Sequence, residues 1–587
     1  MPRRTLLGLL AIIAVLAAPT AVGAAGPYKH TTQATDYGSG GAAATVDSVA
    51  TTAATDVLRR GGNAVDATVA AAAVLGVTEP FSCGIGGGGF MVIRTPKGKV
   101  TTIDSREESP AAMEPDSFFE NGAPLGFNDA RYSGLSAGVP GTVAGWDDAL
   151  RKYGSWSMKR ALAPAIDVAR DGFVVDETFS AQTRPNIPWF DDIPSTAAIY
   201  LDPDGTERDP GYVLRNRDMA KTYERIARYG SERGFYRGPV AEAMVEAAQD
   251  PPTGPGSDHN WRAGLMAERD VKDYDALARK PTHVRYRGLD VFGMGPPSSG
   301  GSTDGEALNI LERERISRMS RTDQLHWFLE ASRFSFADRG AYLADPEFFD
   351  VPLRGLLSDS FAAERHALID PDRAAVSPVA PGNPYDNRDG RQGANGFFSP
   401  TQSTTHLTVA DKHGMVVSYT FTIESTGGNG IVVPGWGFLL NNELTDFDFS
   451  SLTHPNRADG GKRPRSSMAP TIVLDDGKPF LATGSPGGSM IITTVLQILM
   501  ERIDAGKTLP QAIAEPRASQ RNTAATAAEP AFRTLYETAL TAKNHAFTTS
   551  AEIGAVTGIE FLRRGRLLAA AEPVRRGGGS AQVVKRR

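Results

Sequence analysis

The sequence predicts an α+β fold in which antiparallel sheets are covered by helices. Helical periodicity fills residues 43–75 and returns between about residues 140 and 370. Strand-like alternation begins abruptly after residue 403, and a long apolar helix, Ser489–Asp504, follows the last predicted strand pair. Runs of helices that alternate with runs of hairpins are typical of antiparallel sheets with helices on their outer faces.

Two helices open the predicted order of elements. Apolar residues recur at helical spacing within residues 43–60, and Gly61 and Gly62 mark the end of that helix. Asn63 is suited to cap a second helix, from Ala64 to about Leu75, whose side chains are apolar on nearly every face. A helix without a polar face is normally buried, so we expect this one inside the molecule.

Alternating segments predict three hairpins further along the chain. Between the first and the second, residues 377–403 combine four prolines with Gly, Asn, Asp, Arg and Gln, which predicts an exposed segment without regular structure. We also expect the C-terminal residues 576–587 to be frayed. The predicted strand pairs are 90–95 with 99–104, 405–411 with 415–422, and 470–474 with 479–483.

The composition argues against several classes of function. The 587 residues include 62 Lys and Arg against 68 Asp and Glu, and this acidic balance disfavours nucleic acid as a partner. Cys83 is the single cysteine, so neither an intramolecular disulfide nor a cysteine-based zinc site can form. The nine histidines contain no HExxH motif, and we predict neither a metal ion nor an organic cofactor.

The first residues have the layout of a secretory signal. Arg3 and Arg4 precede an apolar run over residues 6–18, and the small residues Val22-Gly23-Ala24 fit a cleavage site. We therefore predict a signal peptide over residues 1–24 and a mature protein exported to the periplasm or the extracellular space. No later stretch has ~18 uninterrupted apolar residues, so we expect no membrane attachment after removal of the signal.

A glycine run imitates a nucleotide-binding motif. Residues 84–89, Gly-Ile-Gly-Gly-Gly-Gly, match the GxGxxG pattern of dinucleotide-binding folds. That interpretation needs a strand before the glycines and a helix after them, because the helix N-terminus holds the pyrophosphate. Here an alanine-rich helix comes first and a strand follows. We therefore reject a nucleotide site and interpret the run as a loop where two backbones approach closely.

A candidate nucleophile, Thr404, lies where the irregular segment meets the second hairpin. Threonine is common in strands for steric reasons alone, so the residue also has an ordinary structural interpretation. The functional interpretation is that the bond between Ser403 and Thr404 breaks and that Thr404 begins a new chain. Its hydroxyl would then be the nucleophile, and its α-amine, with a pKa near ~8, would be the base.

A turn suited to binding an oxyanion is predicted after the third hairpin. Residues 484–489, Gly-Ser-Pro-Gly-Gly-Ser, join a strand to the long apolar helix, and the N–H groups at a helix N-terminus have no partner within the helix. Gly487 and Gly488 would let such N–H groups reach a tetrahedral oxyanion. An ordinary tight turn would use the same glycines, so this motif alone leaves both interpretations open.

Taken together, these segments resemble the γ-glutamyltransferases, also named glutathione hydrolases, which are N-terminal nucleophile enzymes. The resemblance runs through nearly the whole mature chain. It implies an αββα sandwich formed by two subunits of one self-cleaved precursor, with residues 25–403 as the large subunit and residues 404–587 as the small one. The motifs that carry the resemblance are Gly61–Ala67, Gly84–Phe90, Asp104–Glu107, Gly138–Gly141, Thr404–His406, Leu440–Glu443, Arg463–Met468 and Thr483–Ser489.

The resemblance also implies roles for individual residues. Thr404 matches the residue that cuts the precursor after Ser403 and then acts as the nucleophile, and Thr422 matches the threonine whose hydroxyl supports it. Gly487 and Gly488 match the oxyanion hole. The substrate-binding matches are Arg106, Ser466 and Ser467 for the α-carboxylate of the donor, and Glu443 and Asp446 for its α-ammonium.

The implied activity is cleavage of γ-glutamyl amides such as glutathione, with transfer of the γ-glutamyl group to water, an amino acid or a dipeptide. Glu424 departs from the family pattern, because well-studied members often have asparagine there and an ionised glutamate cannot donate a hydrogen bond. It adds to ammonium recognition or changes the preferred acyl group. Two alternatives therefore stay open: a same-fold acylase with another preference, such as glutaryl, and an uncleaved exported binding protein, which Thr404 and Thr422 argue against.

Overall fold

A computed structural model of the protein describes residues 27–385 and 403–585. The predicted signal peptide and residues 386–402 of the predicted irregular segment lie outside the described residues. The strands within the described part are β1 Thr35–Gly38, β2 Gly41–Thr45, β3 Gly88–Arg94, β4 Val100–Ser105, β5 Phe119–Glu120, β6 Ala123–Pro124, β7 Phe173–Val174, β8 Val213–Leu214, β9 Thr282–Tyr286, β10 Leu289–Gly293, β11 Thr405–Asp411, β12 Val416–Thr422, β13 Thr471–Asp475, β14 Lys478–Gly484, β15 Ala518–Ser519, β16 Thr526–Ala528, β17 Phe547–Thr549, β18 Thr557–Leu562, β19 Arg566–Ala571 and β20 Ser580–Val583.

Helices surround these strands. None of the described helices combines the length and the apolar character that a membrane-spanning helix needs. The α-helices of the described residues are α1 Ser48–Arg59, α2 Ala64–Thr78, α3 Phe127–Arg131, α4 Thr142–Tyr153, α5 Met158–Asp171, α6 Glu177–Thr183, α7 Ile187–Phe190, α8 Pro194–Tyr200, α9 Arg217–Ser231, α10 Pro239–Gln249, α11 Glu268–Asp273, α12 Gly300–Leu311, α13 Arg321–Tyr342, α14 Leu353–Leu356, α15 Asp359–His366, α16 Met490–Ile503, α17 Leu509–Ala514 and α18 Pro530–Thr541.

Two large sheets form the centre of the molecule. One has the strand order β20-β2-β11-β12-β3-β4, and the other β1-β19-β18-β14-β13-β10-β9. Alternate side chains of the first sheet face opposite ways: Phe90 and Val92 belong to the core that contains the second sheet, while Met91 and Ile93 pack with α1, α2 and α5. On the outer side of the second sheet, α12 contacts β9 and β10, and α16 contacts β14. The predicted αββα sandwich is confirmed.

Local sequence explains how the principal helices are positioned. Asn63 caps α2. Its side chain accepts from the N–H groups of Val65 and Asp66, and the Asp66 carboxylate accepts from the Asn63 N–H. Every residue of α2 is buried, as the apolar pattern predicts. The predicted first helix is shorter than expected, because residues 41–45 form β2 and Asp47 caps α1. Pairing with β11 and β20 overrides the helix propensity of these alanines.

Both sheets combine strands from either side of Ser403. The six-stranded sheet takes β2, β3 and β4 from the preceding part of the chain, and β11, β12 and β20 from the following part. Because β2 lies between β11 and β20, main-chain hydrogen bonds would still join the two parts after a cut at this position.

The C-terminal segment is ordered, which corrects the prediction of a frayed tail. Strand β20 pairs with β2, with Ala42 opposite Val583 and Thr45 opposite Ser580. Ala581 and Val583 join the buried core. The tail prediction rested on the general tendency of chain termini to fray, whereas strand β20 is apolar at alternate positions and completes a sheet edge.

Candidate active site

The two predicted catalytic threonines lie side by side between the sheets. In the β11–β12 hairpin Thr405 pairs with Phe421, so the register brings Thr404 opposite Thr422. The Thr404 hydroxyl donates to Oγ1 of Thr422 over 3.1 Å, and Oγ1 of Thr422 also accepts from the Glu424 N–H at 2.9 Å. Thr422 is therefore positioned to orient the hydroxyl of Thr404. Both threonines are buried.

The bond between Ser403 and Thr404 lies at the oxyanion turn. The carbonyl oxygen of Ser403 accepts from the N–H of Gly487 at 3.2 Å. Gly487 has φ +132° and Gly488 φ +54°, conformations that residues with a side chain adopt only with strain. The turn that was predicted to bind a substrate oxyanion thus already holds the carbonyl of the candidate cleavage bond in the uncut chain. A developing negative charge on that oxygen would be stabilised in the same way.

The backbone of Thr404 is strained. Its φ is +91°, a rare value for a β-branched residue. Its carbonyl oxygen accepts a 2.7 Å hydrogen bond from Nη1 of Arg576, whose Nη2 donates to the hydroxyl of Ser82 at 2.5 Å and lies 3.5 Å from a carboxylate oxygen of Glu79. An arginine from the C-terminal segment therefore holds the strained residue against α2 and the loop that follows it.

Arg106, predicted to bind the donor's carboxylate, contacts Glu443 and Asp446, predicted to bind its ammonium. Nη1 of Arg106 donates to the Glu443 carboxylate, and Nη2 donates to Oδ2 of Asp446 at 2.6 Å. The remaining contacts of Arg106 are with backbone, from Nε to Pro464 O at 3.0 Å and from Nη2 to Arg465 O at 3.2 Å. Glu443 and Asp446 are held on one short 3₁₀ turn, Glu443–Asp446. The guanidinium is thus paired with both acids, although burial raises the pKa of Glu443 well above its ordinary value and Arg106 opposes this shift.

Two further carboxyl groups near these residues, Glu107 and Glu424, have raised pKa values. Burial raises the pKa of Glu107, which lies beside Glu443, to about 7, although Arg106 opposes the shift. Burial, together with Asp446 and Glu443, raises the pKa of Glu424 to about 8. Glu424 has φ +75°, and its carboxyl accepts from Nδ2 of Asn442 at 2.6 Å. Near neutral pH, Glu424 is therefore mainly protonated and able to donate a hydrogen bond, as an amide would be.

One of the two predicted serines, Ser467, is held by a residue that the sequence did not indicate. Nη2 of Arg339, on α13, donates to Oγ of Ser467 at 2.7 Å. Oγ of Ser466 accepts from the Met468 N–H at 3.1 Å. Arg339 belongs to a helix without an amphipathic pattern, and only the three-dimensional contact with Ser467 identifies it.

One cavity brings most of the predicted site residues together. Ser403, at the predicted cleavage bond, and Gly487, of the predicted oxyanion hole, are the chain neighbours of Thr404 and Gly488, which line this cavity. Within the described residues, no group of three or more His, Cys, Asp or Glu side chains is arranged to hold a metal ion. The predicted residues that line the cavity are Arg106, Thr404, Thr422, Glu424, Glu443, Asp446, Ser466, Ser467 and Gly488, and the others are Arg339, Arg465, Met468, Ser489 and Ile491.

The glycine run serves close packing behind this cavity. A Cβ on Gly86 would lie 1.9 Å from Leu439 O, and one on Gly87 would lie 1.9 Å from Thr422 O. The run therefore lets a loop pass directly against the strand that carries Thr422. This agrees with the interpretation of residues 84–89 as a close backbone contact.

The chain is similar to known proteins over most of its length. The sequence profile of the family described as Gamma-glutamyltranspeptidase matches residues 50–582. The glutathione hydrolase proenzyme of Bacillus subtilis (strain 168) is 40% identical over 492 residues, which cover 82% of this chain and 81% of that protein. The acylase ACY 1 proenzyme of Pseudomonas sp. (strain SE83) is 32% identical over 567 residues, 94% of this chain and 96% of that protein.

A solved structure adds to these sequence matches. The crystal structure of cephalosporin acylase from Bacillus halodurans superposes with a TM-score of 0.81 at 27% identity, covering 98% of this chain and all of that one. The predicted family and the predicted class of enzyme are confirmed, and the similar sequences are those of proenzymes. The chain therefore belongs to the γ-glutamyltranspeptidase family and is an enzyme made as a proenzyme.

Proposed function

We propose that this protein is an exported proenzyme that cuts itself between Ser403 and Thr404 and then cleaves γ-glutamyl amides, glutathione among them. The γ-glutamyl group passes to water or to an amino acid or dipeptide. The observation that carries the proposal is the position of Thr404. Its hydroxyl contacts Thr422, its preceding carbonyl is bound by Gly487, and it lines a cavity with charged groups of both signs.

The contacts of the uncut chain support a route for self-cleavage. Oγ of Thr404 attacks the carbonyl carbon of Ser403, the C–N bond breaks, and the nitrogen of Thr404 gains a proton to become an amine. The resulting ester between Ser403 and Oγ of Thr404 is hydrolysed by water, which leaves a carboxylate on Ser403 and frees the hydroxyl. The N–H of Gly487 stabilises the oxyanion, and the strain at Thr404 raises the energy of the starting state.

Turnover then reuses the same groups. The freed α-amine of Thr404 takes the proton from its own hydroxyl, which attacks the γ-carbonyl of the donor. The leaving amine departs with a proton, and a γ-glutamyl ester on Thr404 remains. Water or an amine acceptor breaks this ester and restores the hydroxyl. The expected kinetics are ping-pong.

Donor recognition pairs each charge of the donor with groups of opposite sign in the cavity. The α-ammonium is received by Glu443 and Asp446, and the α-carboxylate by Arg106, Ser466 and Ser467. Because Arg106 contacts both acids before the donor arrives, binding replaces an internal ion pair by pairs with the donor. A zwitterion can make this exchange without leaving either sign of charge unpaired.

The test compares two donors that differ by a single group. A γ-glutamyl anilide carries both the α-ammonium and the α-carboxylate, whereas the glutaryl anilide keeps the carboxylate and lacks the ammonium. We expect the purified mature enzyme to prefer the γ-glutamyl anilide by roughly 10- to 100-fold in kcat/KM, the range of a charge-assisted hydrogen bond. The small chain should begin with Thr404 in N-terminal sequencing.

The opposite outcomes are equally informative. Equal or faster cleavage of the glutaryl anilide would assign the enzyme to acylases with another acyl preference, the alternative that Glu424 supports. Absence of both self-cleavage and anilide cleavage in a folded protein would refute the proposed chemistry. Recovery of the protein with its N-terminal segment intact and inside the cell would refute export.

A further inference from the structure

Arg339 is a buried arginine in the active-site cavity to which the sequence assigns no role. It lies on α13 with 4% of its surface exposed and lines the same cavity as Thr404. Two of its nitrogens make side-chain contacts: Nη2 donates to Oγ of Ser467 at 2.7 Å, and Nε donates to Oγ of Ser299 at 2.8 Å. The flat guanidinium is thus fixed in direction by two hydroxyl groups.

Through Ser299, the same guanidinium also supports Ser466. The N–H and the hydroxyl of Ser299 both donate to the carbonyl oxygen of Ser466, at 2.8 and 2.6 Å. Arg339 therefore contacts one of the two predicted carboxylate-binding serines directly, and it anchors the backbone of the other through one intermediate residue. These contacts join residues before Ser403 to residues after it.

The hydrogen bonds leave both serine hydroxyls able to donate. Oγ of Ser467 accepts from Arg339, and Oγ of Ser466 accepts from the Met468 N–H at 3.1 Å. A hydroxyl whose oxygen already accepts a bond still has its own hydrogen to give. A carboxylate accepts hydrogen bonds and donates none, so it is the ligand that this pair of hydroxyls fits.

The charge distribution also favours an anion beside Ser466 and Ser467. Arg106 is paired with two carboxylates and two backbone carbonyls, so its positive charge is largely compensated. Burial lowers the pKa of Arg339 well below its ordinary value, and Arg465 and Arg521 add to this effect while Asp446 opposes it. A bound carboxylate would relieve the electrostatic cost of holding these cations together.

We propose that Arg339 is a specificity-determining residue that selects donors with a carboxylate at the end of the acyl chain, by orienting the Ser467 hydroxyl, anchoring Ser466 and supplying positive charge. The proposal deepens the function proposed above and rests on acyl transfer by Thr404. It concerns the carboxylate alone, whether or not the donor also carries an α-ammonium. Arg339 acts beside Arg106, which faces the ammonium-binding acids.

Four anilides separate the two charges of the donor. The γ-glutamyl compound has both charges, the glutaryl compound has only the carboxylate, the 4-aminobutyryl compound has only the ammonium, and the butyryl compound has neither. For Arg339→Gln we expect kcat/KM to fall roughly 10- to 100-fold for the two carboxylate-bearing anilides, the range of a lost charge-assisted hydrogen bond. We expect less than about threefold change for the other two.

A matched control distinguishes specificity from a general structural effect. Arg333→Gln removes another buried arginine of α13, whose partners are Glu330 and Ser377 and which does not line the cavity. This variant should change kcat/KM by the same factor for all four anilides. All rates are taken per mature active site, and where a donor without carboxylate reacts too slowly, its inhibition constant against the γ-glutamyl anilide replaces kcat/KM.

A second variant covers the case in which Arg339→Gln does not fold or mature. Ser299→Ala keeps the arginine and removes the hydroxyl that holds its Nε, so a smaller loss, again confined to the carboxylate-bearing anilides, is expected. An equal loss across all four anilides in the variant that matures would overturn the proposal. If the wild type prefers the glutaryl anilide, the proposed γ-glutamyl function fails, yet the carboxylate-dependent loss would still uphold the role of Arg339.

Discussion

Removal of the Arg576 side chain tests whether the conformation of Thr404 drives self-cleavage. Nη1 of Arg576 donates to the carbonyl oxygen of Thr404 at 2.7 Å, while φ of Thr404 is +91°. A left-handed or similarly rare conformation costs about 1–3 kcal/mol, and a hydrogen bond to a charged group contributes about 1.5–3 kcal/mol. The two magnitudes are comparable, so the hydrogen bond from Arg576 is sufficient to stabilise the strained conformation of Thr404.

Without Arg576, the uncut chain can relax at Thr404 and move its hydroxyl away from the Ser403 carbonyl. A loss of about 1.5–3 kcal/mol from the reactive conformation slows self-cleavage by roughly 10- to 150-fold. The assay follows conversion of purified Arg576→Ala precursor into two chains by denaturing gel electrophoresis over time. Mass spectrometry of the products checks that the cut is still at Ser403.

Two comparisons keep the interpretation specific. Arg564→Ala is a matched control. Arg564 is exposed, and its φ of +62° is close to the +55° of Arg576, so its removal should leave the cleavage rate unchanged. Thermal unfolding of Arg576→Ala in the uncut Thr404→Ala background measures any loss of stability separately from cleavage. Wild-type cleavage rates in Arg576→Ala would refute the reasoning, because the strain would then be held by the rest of the turn.

Three further predictions concern catalysis and donor binding. Thr404→Ala should give a single uncut chain without anilide cleavage, since both reactions need its hydroxyl; a cut or active variant on a denaturing gel or in the anilide assay would exclude Thr404 as the nucleophile. Arg106→Ala should raise KM for γ-glutamyl anilide at least about tenfold, because a buried charge pair is broken; an unchanged KM would mean that the donor's charges are held elsewhere. Burial raises the pKa of Glu424 to about 8, so its neutral form is lost as the pH rises through that value and a third negative charge appears beside Glu443 and Asp446. The side chain in Glu424→Gln cannot ionise, so the alkaline limb of the variant's kcat/KM profile against pH should move to higher pH. If the limb stays in place, another group causes it.

The contact between the candidate nucleophile Thr404 and Thr422, and the glycine turn beside it, could be predicted because they depend on short-range patterns. The alternation of the hairpin and the position of its turn are enough to bring Thr404 and Thr422 to the same face of neighbouring strands. The glycines at positions 487 and 488 likewise follow from a strand–helix junction. Local periodicity and turn chemistry therefore account for this half of the site.

The supporting arginines could not be found in this way. Arg339 and Ser467 are 128 residues apart, and Arg576 and Thr404 are 172 residues apart. Neither arginine belongs to a motif with a recognisable spacing, and their partners are a hydroxyl and a backbone carbonyl, which every stretch of sequence offers. Long-range packing of α13 and of the 3₁₀ turn Arg575–Gly577 decides these contacts, and no local pattern reports it.

The contact of Arg106 with Glu443 and Asp446 bears directly on the choice between γ-glutamyl and glutaryl donors. A γ-glutamyl group brings an ammonium for the acids when its carboxylate takes part of the arginine, so each buried charge keeps a partner. A glutaryl group brings only the carboxylate, and the buried Glu443 and the partly exposed Asp446 would then share the arginine with a third anion. Breaking a buried ion pair by removing one partner costs about 3–5 kcal/mol, unless a proton neutralises the carboxyl that has lost its partner. Burial raises the pKa of Glu443 well above its ordinary value and that of its neighbour Glu107 to about 7, so this pair of carboxyls holds protons at low pH and loses them as the pH rises. Under the donor binding proposed above, the preference for the zwitterionic donor is expected to grow as the pH rises.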